Sequence, residues 1–107
     1  MSDFIIKQND TFPAIRAQVI QADDSPVNLS GALVRFIMVD SDGEVVIDEP
    51  AEIVEAPEGR IKYAWQQGNT EVVGDYRGEF EATFATGEIV TMPNYTYIYI
   101  RIFKELN

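Results

Sequence analysis

The chain has 107 residues and a formal net charge of −10, from 18 acidic and 8 basic residues, and it contains neither cysteine nor histidine. These counts exclude disulfides, thiolate chemistry and histidine-dependent catalysis or metal binding, and the acidity argues against nucleic acid or an anionic membrane as a partner. No apolar run approaches the roughly 18 residues of a membrane helix, and the length predicts a single domain over residues 1–107.

The first half of the chain predicts short strands separated by turns. Residues 32–40 are apolar on nearly both faces, which predicts a central strand that is partly covered on each side. Asp42-Gly43, between β-branched runs, is typical of a hairpin turn. The strands predicted in this half are 3–7 (an edge strand or arm), 14–21, 32–40, 45–48 and 51–55.

Residues 59–84 carry the strongest strand signal, because two runs alternate with period two. The segment 67–74 between them has a polar centre, which favours a crossing between strands over a tight hairpin. Tyr76, which opens the second run, is placed to bond its hydroxyl back to nearby backbone, as at the corner of many sandwiches. The side chains expected to form an aromatic core are Tyr63, Trp65, Tyr76, Phe80 and Phe84.

The last part of the chain predicts a hairpin at Thr86-Gly87 and a terminal strand over residues 95–103. In total, seven to nine short strands are separated by turn signals every eight to twelve residues. This pattern predicts an all-β fold, an antiparallel immunoglobulin-like β-sandwich. The likeness is one of architecture, since the cysteine pair of true immunoglobulin domains is missing.

Candidate chemical sites have simpler interpretations. Asp40 and Asp42 resemble the start of a calcium loop, but position twelve is Ala51 rather than glutamate, so a solvated hairpin turn is the better interpretation. The serines lie in turns or at the terminus without a base to activate them. We therefore predict no enzyme activity, cofactor or metal. The acidic run over residues 40–58 suggests either a solvated edge or a docking face for a basic partner.

The terminal strand offers a candidate interface. If Ile98, Ile100 and Ile102 face the core, the opposite face is rich in aromatic side chains, which are typical of binding surfaces. Two alternatives stay open: a cover formed by the second layer or the N-terminal arm, and a platform for carbohydrate. The candidate interface residues are Tyr95, Tyr97, Tyr99 and Phe103.

Six segments that together span most of the chain resemble one family. They include Asn9-Asp10-Thr11-Phe12-Pro13 and Gly74-Asp75-Tyr76-Arg77-Gly78-Glu79-Phe80. In this order the segments resemble the N-terminal domain of phage baseplate upper proteins and related immunoglobulin-like domains of tailed-phage structural proteins. The segments are 6–13, 26–36, 59–65, 69–70, 74–80 and 91–93.

The resemblance implies a virion structural protein, an adaptor or decoration of the tail, baseplate or neck. Its partners would be other virion proteins and copies of itself, not nucleic acid or membrane, and it would reside in the virion after synthesis in the host cytoplasm. Baseplate upper proteins continue into a linker and a distal module, whereas this chain stops at Asn107, so we expect a stand-alone relative. The alternative is a carbohydrate- or cell-surface-binding module.

Overall fold

Nine strands in two sheets build the protein in a computed structural model that describes residues 2–93 and 97–106. The larger sheet has the order β1-β9-β7-β3-β4, with β8 also paired to β7, and the smaller sheet has the order β2-β6-β5. This confirms the predicted all-β sandwich. The strands are β1 (Ser2–Lys7), β2 (Ile15–Gln18), β3 (Leu33–Val39), β4 (Val45–Pro50), β5 (Glu52–Glu55), β6 (Arg60–Tyr63), β7 (Gly74–Thr83), β8 (Ile89–Met92) and β9 (Ile98–Phe103).

The core lies between the two sheets and is centred on Phe36, whose side chain is fully buried. Its ring stacks on Tyr63 at 4.8 Å between centroids and meets Phe80 at 5.0 Å and Trp65 edge-on at 5.8 Å. Gly78 makes room for this ring, because a Cβ there would stand 3.1 Å from Phe36 and 2.8 Å from the Ile100 Cδ1 atom. A larger residue at this inward position of β7 would force the Ile100 side chain to shift and would crowd the Phe36 ring.

Most of the predicted aromatic core is confirmed. Tyr63, Trp65, Tyr76 and Phe80 are buried, whereas Phe84 is only half-buried and packs against the edge of the core. The prediction omitted Phe36, although its ring contacts three others, as many as the ring of Trp65 does. The predicted crossing is also confirmed, because the chain leaves β6 in the smaller sheet and enters β7 in the larger one.

The N-terminal edge strand is confirmed, but its pairing departs from the antiparallel expectation. β1 runs parallel to β9, with Asp3 opposite Tyr99 and Lys7 opposite Phe103. Phe4 and Ile6 turn inward, where Phe4 packs on Trp65 at 5.7 Å between ring centroids. The arm is thus held by backbone pairing on one side and by the core on the other.

β3 is central, as predicted, since it pairs with both β4 and β7. The expectation that both of its faces are partly covered holds for only part of the outward face, where Ile37 and Val39 are half-buried. Val34, Phe36 and Met38 are buried, but Leu33 on the other face is 76% exposed. The apolar character of that outward face therefore reflects the open surface of the larger sheet rather than a second covering layer.

A single 3₁₀ turn, Ala56–Glu58, joins β5 to β6. Gly59 ends it with φ of 67°, and a Cβ at this position would lie 2.5 Å from the Val19 carbonyl oxygen, so the turn requires glycine. In the described part of the chain no helix has the length and apolarity to cross a membrane.

Candidate functional site: an open aromatic face

The candidate interface lies on the side of β9 that points away from the core. Tyr97, Tyr99 and Phe103 are 40%, 37% and 43% exposed, while the alternating isoleucines Ile98, Ile100 and Ile102 are buried. The alternation predicted for this strand is confirmed. Tyr95, which the same pattern places on this face, lies outside the described residues.

Tyr97, Tyr99 and Phe103 form a stripe that neighbouring strands extend into a wider surface. We call this surface the outer face, and it consists of the outward-pointing side chains of β1, β9, β7 and β3 together with Asp48 of β4. Across the strands, Tyr99 stands between Asp3 of β1 and Arg77 of β7. In the next row Arg101 stands between Ile5 and Asp75. Farther along β7, Glu79 and Glu81 stand opposite Ile37 and Arg35 of β3.

Both proposed covers for this face are contradicted by the structure. The smaller sheet packs on the opposite side of the larger sheet, where the core lies. The N-terminal arm lies beside β9 in the plane of the sheet rather than over it. The arm therefore widens the exposed face and adds Ile5, which is 63% exposed.

Three arginines on the outer face are held by neighbours. The Arg101 Nε atom lies 3.0 Å from the Asp75 carboxylate, and the Arg35 Nε atom lies 2.8 Å from the Asp48 carboxylate. The Arg77 guanidinium stands over the Tyr97 ring, 5.3 Å from its centroid. Exposed pairs of this kind contribute little to stability, but they fix the guanidinium groups in place, which lowers the entropy lost when a partner binds.

A shallow groove of about 500 Å³ crosses the outer face beside Tyr99. Asp3, Ile5 and Arg101 line it together with Asp75. The aromatic ring, the carboxylates and the guanidinium offer one apolar surface and several hydrogen-bonding groups. This combination suits a protein side chain or a sugar ring equally well on chemical grounds.

Basic side chains of β6 pair with part of the acidic run over residues 40–58. Across the strands, Arg60 contacts Glu55 at 3.1 Å and Lys62 contacts Glu52 at 3.9 Å. Asp40 accepts hydrogen bonds from the backbone N–H groups of Asp42 and Glu44, so its carboxylate serves the hairpin turn. Among residues 2–93 and 97–106, no three metal-ligating side chains cluster.

The predicted corner at Tyr76 is confirmed. Its hydroxyl donates a hydrogen bond of 2.6 Å to the Val72 carbonyl oxygen. Burial raises the pKa of this hydroxyl above its usual value of 10.0, and the charge of Asp40 adds to the effect. The corner fixes the start of β7 and, through the register, the position of Arg77 beside Tyr99.

Sequence reasoning found the stripe on β9 but missed Ile5, Arg77 and Arg101 as parts of the same surface. The alternation in β7 did predict that Arg77 points away from the core. Only the pairing of β7 with β9 brings it beside the tyrosines. Such pairing between distant segments leaves no local signal in the sequence.

The two packed sheets define a small β-sandwich that leaves aromatic side chains of one sheet face exposed. The model for the BppU N-terminal domain matches residues 5–99. The chain therefore belongs to this family, the N-terminal domains of phage baseplate upper proteins. Membership gives it a structural role in a phage and makes it a virion component.

Solved structures support the same fold. The N-terminal domain of phage TP901-1 ORF48 is similar with a TM-score of 0.60 and 16% identity, covering 98% of this chain and 99% of that one. CopC from Methylosinus trichosporium OB3b is similar with a TM-score of 0.59 and 13% identity, covering 100% and 89%. No curated protein sequence matches the chain. At these identities the two structures show a shared fold and nothing further.

Proposed function

We propose that this chain is a non-enzymatic adaptor or decoration domain of the virion, held in place by protein–protein contacts made through its outer face. The observation that carries the proposal is the stripe of Tyr97, Tyr99 and Phe103, which stays exposed beside a fully formed core. Tyrosine and arginine are the residues most enriched at the centres of protein interfaces, and Arg77 and Arg101 stand within this stripe.

The chemistry of the remaining polar groups supports a structural role. The chain has neither histidine nor cysteine. The hydroxyls of Ser25 and Ser30 donate to the side chains of Asp23 and Asn28 within their own turns. Hydrogen bonds from Ser25 lower the pKa of Asp23, which keeps that carboxylate ionised as a turn-forming acceptor. These groups stabilise loops and are not arranged as a nucleophile with its base.

Replacing both exposed tyrosines tests the proposal. Tyr97→Ser with Tyr99→Ser should give a folded monomer that no longer incorporates into phage particles, measured by complementation of a deletion phage and quantification in purified particles. A matched control, Val54→Ser with Val72→Ser, removes two exposed apolar side chains elsewhere and should incorporate normally. Normal incorporation of the tyrosine variant would refute the proposal, and so would its failure to fold, because the stripe would then belong to the core.

A second candidate, a carbohydrate-binding module, is favoured by the groove beside Tyr99 with its flanking Asp3 and Arg101. The two functions differ in what the isolated domain binds. Titration with cell-wall oligosaccharides, followed by the fluorescence of exposed tyrosines and by NMR shifts of β9 amides, distinguishes them. Saturable shifts confined to residues around the groove would favour the sugar, while their absence together with loss of incorporation in the tyrosine variant would favour the adaptor.

A further inference from the structure

We propose that one end of the sandwich binds a basic segment of a second, different virion protein and holds an apolar side chain of that segment in a cavity between two loops. This inference rests on the proposed function, because an adaptor joins two parts of a particle and needs a contact surface besides the outer face. It is carried by a cavity at the start of β7 that has apolar walls and whose charged lining residues are all acidic.

The cavity, which we call the end cavity, lies between the β3–β4 hairpin and the crossing that leads from β6 to β7. Its volume is about 370 Å³, at the lower end of the range of ligand-binding pockets. Val46 of β4 and Val72 and Val73 of the crossing line it, and these side chains are 47%, 66% and 46% exposed. Three β-branched apolar side chains thus surround one depression that is open to solvent.

A β-bulge accounts for the position of Val46. Met38 stands opposite Ile47, and the next residue of β3, Val39, stands opposite Val45, so Val46 is the extra residue without a partner. A bulge of this kind interrupts the alternation of a strand and redirects a side chain, and bulges are frequent beside functional sites. Here the redirected side chain lines the end cavity.

Hydrogen bonds hold the crossing in the shape that exposes its two valines. The Tyr76 hydroxyl donates to the Val72 carbonyl at 2.6 Å. The Asn69 side-chain oxygen accepts from the Tyr63 hydroxyl and from the Gln66 N–H, at 2.7 Å each. Because the crossing is already ordered by these bonds, binding of a partner costs little further loss of conformational entropy.

The charge around the end cavity is negative. Asp40 and Asp75 line it, and within the described part of the chain no lysine or arginine does so. Arg101 pairs with Asp75, whereas Asp40 takes part in none of the four ion pairs among the described residues. Asp42 and Glu44 follow Asp40 in the same hairpin, and both are exposed. This end of the molecule therefore attracts positive charge.

Apolar walls together with negative charge define the chemistry of the occupant. Another copy of this chain carries the same net charge of −10, and the phosphates of nucleic acid or lipid are negative too, so all of these are repelled. No three metal-ligating side chains cluster among residues 2–93 and 97–106. A protein segment in which lysine or arginine flanks an apolar residue matches both features, because its apolar side chain fills the cavity and its basic groups lie beside the carboxylates.

A photo-cross-link in assembled particles identifies the occupant. Benzoylphenylalanine replaces Val73 in a chain that complements a deletion phage, and the purified particles are irradiated. The cross-linked peptide, identified by mass spectrometry, should come from another virion protein and carry lysine or arginine beside an apolar residue. The same group in place of Val54, which is similarly exposed on β5, should not trap that peptide.

The trapped peptide, made synthetically, is then the probe in calorimetric titrations of the purified chain. Val46→Ser with Val73→Ser removes two apolar walls and should weaken binding about tenfold or more. Asp40→Asn keeps the side-chain oxygen that accepts from the backbone of the hairpin and removes only the charge. It should weaken binding about threefold to tenfold and reduce the loss of affinity between about 50 mM and about 300 mM salt.

The control for charge is Asp24→Asn, which lies in the loop before β3, at the other end of that strand from the hairpin, and should bind the peptide like wild type. Both end-cavity variants should enter particles normally, since Tyr97 and Tyr99 are unchanged and do not line this cavity. The tyrosine double variant should show the opposite behaviour, with normal binding of the peptide and no entry into particles.

Four results would overturn the proposal: no cross-link from position 73, a cross-link only to this chain or to an acidic segment, end-cavity variants that bind the peptide like wild type, or folded end-cavity variants that are absent from particles. These results are distinct from a failure of the proposed function. If the end-cavity variants behave like wild type while the tyrosine variant fails to enter particles, the adaptor function stands and only the second contact is wrong.

Discussion

At the scale of single residues, buried aromatic side chains define the core. Phe36 contacts Tyr63, Trp65 and Phe80, and Gly78 provides the space that these rings require. Burial of large rings is the strongest stabilising contribution available to a domain of this size, which has no disulfides. The effects of substitution should therefore be largest at these positions.

Trp65→Ala should lower the free energy of unfolding by about 3–5 kcal/mol. The Trp65 ring is buried against Phe4, Phe36 and Tyr63. Its indole N–H has no hydrogen-bond partner among the described residues, so the loss comes from packing. Urea unfolding measures it, and Trp65→Phe, which keeps a ring, should cost less than half as much. A change below roughly 1 kcal/mol with an unchanged m-value would contradict the burial of this ring.

Tyr76→Phe should cost about 0.5–1.5 kcal/mol at neutral pH, because it removes the hydrogen bond to the Val72 carbonyl. Tyr76→Phe should also differ from the wild type in how its stability changes with pH in the alkaline range. The folded-state pKa of Tyr76 is raised above 10.0, so this residue's contribution is intact below pH 10 and falls as the pH rises above that value.

Denaturant titrations from about pH 8 to pH 11 measure whether the free energy of unfolding falls as the pH rises. The wild type should lose stability faster than Tyr76→Phe above the usual tyrosine pKa. Part of the loss should persist in the variant, because burial, with the charge of Glu49, also raises the pKa of Tyr63. Equal slopes for the two proteins would show that Tyr76 is not protected in the folded state.

At the scale of elements, the loop after β1 and the crossing between β6 and β7 form one hydrogen-bonded unit. The Thr70 hydroxyl donates to the Asp10 carbonyl at 2.8 Å, and the Thr70 carbonyl accepts from the Asn9 N–H at 3.1 Å. Gln8 adds a side-chain bond to the Glu71 carbonyl at 2.8 Å. This unit ties the N-terminal arm to the crossing that leads into the Tyr76 corner.

Thr70→Val should cost about 1–3 kcal/mol, because it keeps the buried shape and leaves the Asp10 carbonyl without its donor. The Asn9 amide should also exchange with solvent faster, since the loop that it anchors is loosened. Urea unfolding and amide exchange measure the two effects. Thr86→Val, in an exposed hairpin, serves as the control and should change stability by less than about 0.5 kcal/mol.

At the scale of the whole molecule, the excess of negative charge opposes folding. The chain carries 18 acids against 8 bases, and four ion pairs lie within 4.0 Å among the described residues. Repulsion among exposed carboxylates falls when salt screens it. Stability should therefore depend on ionic strength more than on any single surface pair.

Raising NaCl from about 10 mM to about 300 mM should increase the free energy of unfolding by about 0.5–1.5 kcal/mol. Asp42→Lys with Glu44→Lys removes part of the excess charge and should show a shallower dependence. Thermal unfolding followed by circular dichroism measures both. Stability that falls with salt would mean that attractive pairs outweigh the repulsion.

Local patterns in the sequence determined which side chains of each strand face inward. Ile61, Tyr63 and Trp65 are all buried, as are Ile98, Ile100 and Ile102, because side chains of a strand alternate between its faces whatever its neighbours are. The local sequence also predicted turns, as with the hairpin turn at Asp42-Gly43 between β3 and β4. The family resemblance came from such local segments too, and the match over residues 5–99 confirms it.

Tertiary structure alone decided which strands are neighbours. The parallel pairing of β1 with β9, the position of Phe36 at the centre of the core and the union of Ile5, Arg77 and Arg101 with the tyrosine stripe all join segments far apart in the chain. Whether the outward face of β9 is covered or open was likewise undecided by its alternation. A period of two assigns side chains to opposite faces, but what packs on a face depends on contacts between distant segments, which local patterns do not encode.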